Sequence, residues 1–155
     1  MRVWLSCSIG VLLASLAGCA TPASAPEEAA TRTASVERGL PAQELPPGVC
    51  GLFLWDKSDG AFVFFAEEGA PSASAWEDGA AIDIVRVSAD GDVYGQTFTE
   101  QVFAGDQLAV RLTLVPGEPM EDGFRFPQGA LTLDHNDGWR RVVSVGGVRA
   151  CQPFS

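Results

Sequence analysis

In Leu108-Ala109-Val110-Arg111-Leu112-Thr113-Leu114, the residues Leu108, Val110, Leu112 and Leu114 fall on one face of an extended chain, and Ala109, Arg111 and Thr113 on the other. Side chains of a strand alternate with period two, so this is a strand with one apolar and one wet face. Such strands belong to antiparallel sheets that cover a core on one side only. Working outward, no stretch beyond residue 48 keeps a helical period for the ten or more residues a helix needs.

Short apolar runs separated by turn residues recur on both sides of that strand. Leu131 and Leu133, then Asn136-Asp137-Gly138, then Trp139 to Val145 read as a hairpin. Cys50 to Trp55, Asp56-Lys57-Ser58-Asp59-Gly60 and Ala61 to Ala66 read as another. Ala80 to Val87 is a third run, expected to turn at Asp90-Gly91-Asp92 into a fourth, Val93 to Phe103. Glu67 to Gly79 is expected to be a loop around Pro71 and Trp76. Phe124 and Phe126 are expected to return to the core after the Pro/Gly/Glu-rich stretch Pro116 to Gly123, and Val148 to Cys151 forms a last short run. Seven or eight short strands at this spacing predict an all-β fold, a small antiparallel sandwich or barrel.

The N-terminus carries an address. Met1-Arg2 is a minimal positive region, and Val3 to Leu16 is almost wholly apolar or small. That run is shorter than the roughly 20 residues of a transmembrane helix and suits a signal peptide. It ends Leu16-Ala17-Gly18-Cys19, which resembles the lipobox of bacterial lipoproteins. The resemblance implies cleavage after residue 18 and lipidation of Cys19 by a diacylglyceryl thioether, usually with an acylated amino group. Two or more acyl chains hold a protein stably on a bilayer. Ala20, not Asp, follows the cysteine; under the common Gram-negative sorting rule this implies the outer membrane, either face. Three segments are thus expected: a signal peptide (1–18), a lipidated and disordered Ala/Pro/Glu-rich tether (19–47) and a β domain (48–155). The tether ends at Leu45-Pro46-Pro47-Gly48 and has no apolar period with which to offset its ordering entropy.

In an exported protein, Cys50 and Cys151, at the two ends of the β region, are expected to form a disulfide. Cys7 would be removed with the signal peptide.

The formal net charge is −10, from 10 basic and 20 acidic residues. Removing residues 1–18 takes away one base, Arg2, and leaves 9. A single lysine (Lys57) and scattered arginines argue against nucleic-acid binding, which depends on clustered cations. No nucleophile elbow, phosphate-binding loop or Cys/His metal spacing occurs, and no cofactor or metal is expected. The Asp-rich turns lack the alternating spacing of a calcium loop. His135, the only histidine, lies by alternation on the Leu131/Leu133 side and reads as a strand-end residue at the core edge.

One hairpin is unusual because both faces of Leu52-Phe53-Leu54-Trp55 and of Phe62-Val63-Phe64-Phe65 are apolar. It is either covered on both sides, for example by the Pro71–Trp76 loop, or one face is an aromatic patch for a partner, with Phe53, Trp55, Phe62 and Phe64 as its residues. Burial is the favoured reading. The expected function is a non-catalytic, lipid-anchored domain that binds a protein or envelope component or acts structurally. The layout resembles that of membrane-bound lysozyme inhibitors, lipoproteins with small disulfide-clasped barrels, though no motif carries residue roles across. The rivals are an envelope hydrolase built on His135 or a carboxylate pair, and a carrier of a small apolar ligand inside a barrel.

Overall fold

The computed structural model describes residues 38–154; the expected signal peptide, Cys19 and most of the expected tether lie outside them. The strands are β1 (Cys50–Asp56), β2 (Phe62–Glu67), β3 (Ser72–Glu77), β4 (Ala80–Tyr94), β5 (Thr97–Ala104), β6 (Leu108–Val115), β7 (Pro119–Met120), β8 (Gly123–His135) and β9 (Arg140–Cys151). Each of β1 to β5 pairs antiparallel with the next. Then β6 pairs with β8, β8 with β9, and β9 with β1. The result is a closed eight-stranded antiparallel barrel, with β7 a two-residue addition on β8. The all-β expectation holds, and closure selects barrel over sandwich.

The alternating stretch is β6, with Val110, Leu112 and Leu114 buried and Arg111 and Thr113 exposed. Its inward residues meet Leu133, Leu131 and Gly129 of β8. Eight strands leave an interior just wide enough for side chains to fill or for one small ligand. Here side chains fill it: Leu54, Phe64, Ile84, Phe126, Leu131 and Leu133 are all fully buried. Phe64 meets the edge of Phe103 at 5.3 Å between ring centroids. Phe124 and Phe126 do turn inward, where Tyr94 stacks on Phe124 at 4.3 Å. The interior-ligand expectation therefore finds a packed core in place of a cavity.

Two turns lie elsewhere than expected. Ser72–Glu77 is a strand and not a loop. Its hairpin to β4 turns on Asp78-Gly79, both with positive φ (49° and 81°), as a type I′ turn requires. Ser and Ala have low strand propensity, but small residues are what this wall needs, since Ala75 sits directly beside the bulky Phe64. Asp90-Gly91-Asp92, expected as a turn, is a bulge inside β4, where the register slips between Asp90 and Val93. Gly91 takes φ +81° there, and the Asp92 amide donates to Thr99 Oγ1 at 2.9 Å. Gly in the left-handed region serves a bulge as readily as a turn; the chain reverses at Gly95-Gln96.

Residues 38–47, expected to belong to the disordered tether, lie against the barrel wall. Pairing of β2 with β3 stops at Phe64, which leaves the backbone of Phe62 open. Gly39 bridges to it in parallel, and the Leu40 amide donates to the Phe62 carbonyl at 2.7 Å. A Cβ on Gly39 would sit 2.6 Å from that carbonyl oxygen, and its φ is +122°, so the contact requires glycine. Leu40 is buried. Further along, the Gly48 amide donates to the Gln152 carbonyl at 2.8 Å. Leu40 and Leu45 form no period of their own; Leu40 is buried and Leu45 half-buried because the barrel supplies the surface.

Candidate functional site

Phe53 and Trp55 project outward from β1, opposite Phe65 and Phe62 of β2. Their ring centroids are 5.1 Å apart for Phe53–Phe65 and 5.3 Å for Trp55–Phe62, and Phe53 also stacks near Phe62 at 6.0 Å. Three of the four expected patch residues thus meet on one outer face. Phe64 does not: it is fully buried in the core, and Phe65 takes its place. The cause is a bulge, because the register runs Leu54↔Phe64 and then Trp55↔Phe62, leaving Val63 unpaired. One extra residue puts Phe62 and Phe64 on opposite faces, against simple alternation.

The hairpin is covered on its inner side by the barrel core, and its outer side is only partly covered. The cover is the segment before β1, not Pro71–Trp76: Leu45, Phe53 and Phe65 converge over Gly51, each within 3.2 Å of where its Cβ would stand. Trp55, at the other end of the cluster, is 37% exposed.

Polar side chains close the barrel at two places. Glu77, on the inner face of β3, is buried with its carboxylate shared: Oε1 contacts His135 Nε2 at 3.1 Å and Oε2 accepts from Arg141 Nη1 at 3.0 Å. His135 lies inward, as its alternation with Leu131 and Leu133 requires, and Trp139 rests against it at 4.9 Å. Both carboxylate oxygens are engaged in holding β3 to β8 and β9, which makes this a structural tie across the barrel end. Nothing in the sequence pairs Glu77 with His135, 58 residues away. Glu77→Ala, by leaving Arg141 and His135 without their acceptor, is expected to cost about 1–3 kcal/mol, read as a lower urea midpoint at pH 7.

At the second place, Arg149 Nε and Nη2 donate to the two oxygens of Glu68 at 2.7 and 2.9 Å. The Gln96 amide and Thr97 Oγ1 add 2.9 and 3.1 Å bonds to Oε1. Burial alone would raise the Glu68 pKa, but the Arg149 bond, the Gln96 amide, the Arg149 charge and Thr97 together outweigh it and hold the carboxyl below its ordinary value of 4.5. A carboxyl depressed on folding contributes stability above its unfolded pKa and loses it as pH falls through the folded one. Acid unfolding should therefore steepen below about pH 4.5, and Glu68→Gln should flatten that limb in denaturant melts run from pH 7 to pH 3.

Asp134, at the β8 end, has its carboxyl held low by the Arg140 hydrogen bond, with a further bond from Arg111 at 3.3 Å. Among the described residues no group of three His, Cys, Asp or Glu side chains is placed to hold a metal ion. The aromatic face on β1 and β2 is thus the feature that packing and turn chemistry leave unexplained.

No family model, curated protein or solved structure matches this chain. The candidate site accordingly rests on geometry alone. Sequence reasoning missed Phe65, Glu68, Glu77 and the segment 38–47. For Phe65 a signal existed, since pairing it with Phe53 needs only the hairpin register. For the others the partners are too distant in sequence to be seen.

Proposed function

We propose that the protein is a bacterial envelope lipoprotein, anchored through Cys19 to the outer membrane, whose barrel is a non-catalytic domain binding a protein or envelope component. The observation that carries the binding half is the outer aromatic cluster of Phe53, Trp55, Phe62 and Phe65, left open at Trp55. Exposed aromatic clusters on a barrel wall are costly in water, and Trp is favoured at the centre of binding surfaces. The Leu16-Ala17-Gly18-Cys19 sequence supports the anchor, and a disulfide-clasped fold suits an oxidising compartment.

Two measurements test this reading. Labelled palmitate should enter the wild-type protein but not Cys19→Ser, and absence of label from both overturns the anchor. Full-length protein cross-linked in cells should capture an envelope component that Trp55→Ser loses while remaining folded. Equal capture by Trp55→Ser would move the binding surface elsewhere.

A further inference from the structure

The outer wall beside Trp55 is shaped as a trough. In register, Trp55 of β1 lies opposite Gly146 of β9, and beyond Gly146 strand β8 slips register between Phe126 and Gly129. Gly146 has no side chain, so backbone floors the space between the indole and the bulge; a Cβ there would stand 3.1 Å from the Pro127 carbonyl oxygen. A glycine at such a point allows close approach of a ligand to backbone. The groove has a volume of about 420 Å³, and its walls include Lys57, Arg125 and Val148. That lies within the range of small-ligand sites, roughly 300–1,000 Å³.

Its charge is the second observation. Arg111, Arg140, Arg141 and Arg149 are each ion-paired with a carboxylate, and Arg86 bonds Gln101. Lys57, the only lysine in the chain, donates to the Pro127 carbonyl at 3.3 Å. Arg125 makes no side-chain hydrogen bond or ion pair among the described residues. Asp56, the carboxylate on the groove lining, accepts the Ser58 amide at 2.7 Å. In a chain with twice as many acids as bases, two cations without carboxylate partners share one groove with an exposed indole.

An indole face stacks on the C–H face of a sugar ring, a backbone-floored trough admits a flat ring, and Lys57 and Arg125 call for an anion. We propose that this groove binds a glycan through a carboxylate-bearing sugar, its ring on Trp55 and its carboxylate toward Lys57 and Arg125. This rests on the reading above, in which the Trp55 face is the binding surface of an envelope protein, and it names the ligand class.

Calorimetric titration of the full-length protein in detergent, with N-acetylglucosaminyl-N-acetylmuramic acid and with neutral diacetylchitobiose, tests it. The two disaccharides differ in the carboxylate-bearing substituent. The acidic one is expected to bind at least tenfold tighter, and Lys57→Gln and Arg125→Gln each to weaken it about three- to tenfold. Gly146→Val, which fills the trough, is expected to abolish binding; should it unfold, the two charge variants carry the test. Equal binding of both sugars, no binding of either, or full displacement by equimolar inorganic phosphate overturns the proposal. Loss of sugar binding with in-cell capture intact overturns this inference alone, whereas loss of Trp55-dependent capture removes the reading beneath it.

Discussion

Replacing Cys50 and Cys151 together by alanine is expected to lower stability by about 2–5 kcal/mol. The two residues face each other across β1 and β9 and are joined, closing a loop of 101 residues. In the chain-entropy account a loop of that length is worth up to about 4.7 kcal/mol, chiefly by limiting the unfolded chain. The bond sits at the seam where the barrel's first strand meets its last, which is the pairing most distant in sequence and the most expensive to close. Seven residue pairs already hold this seam, so the variant should still fold at low temperature. The measurement is a urea titration of wild type with and without reductant, beside the double variant. Reduced wild type should match the variant, with a melting temperature lower by roughly 10–20 °C. A change below 1 kcal/mol would mean that strand pairing alone restrains the unfolded ensemble.

Phe64→Ala is expected to cost about 3–5 kcal/mol, while Trp55→Ser, one register step away on the same hairpin, should cost no more than about 1.5 kcal/mol. Phe64 is fully buried, packed on Phe103 and flanked by Ala75, so its removal opens a cavity that a closed barrel cannot collapse around. Trp55 is more than a third exposed and leaves its neighbours in water. Denaturant midpoints of the two variants read the difference directly. Comparable losses would mean that the aromatic cluster is a second core, and that the segment before β1 seals it more fully than its contacts indicate.

That pair of variants also marks where reading residues in order fails. Alternation places β6 correctly, inward and outward side chains alike, because nothing interrupts its period of two. It places His135 inward for the same reason. On β2 the same rule fails, since one bulged residue, Val63, reverses the faces of everything on one side of it. The Asp-Gly pairs show the same limit: Asp78-Gly79 makes a turn and Asp90-Gly91 a bulge, although the local chemistry is alike. What separates them is their place in the sheet: the first joins β3 to β4, and the second lies inside β4 where its pairing with β5 slips.

The candidate site divides similarly. Phe53, Trp55 and Phe62 stand out in the sequence because a strand apolar on both faces is anomalous. Arg125 and Gly146 do not, because a lone arginine and a glycine before another glycine have no distinguishing neighbours. They become a groove only when β8 and β9 are laid beside β1.

By itself, then, the amino-acid order determined the strand-rich character of the chain, the inward residues of its regular strands, the likeness of its N-terminus to a lipoprotein signal, and the two cysteines fit to clasp its ends. These follow from properties legible in the residue order: period, turn dihedrals, apolar length and the placing of two cysteines at the ends of the strand-rich region. Tertiary structure alone decided closure into a barrel, the face on which each hairpin aromatic lies, the burial of Leu40, and the pairing of Glu77 with His135 and of Glu68 with Arg149. Each of these depends on register between strands distant in sequence, and register is set by where bulges fall once the whole sheet has closed.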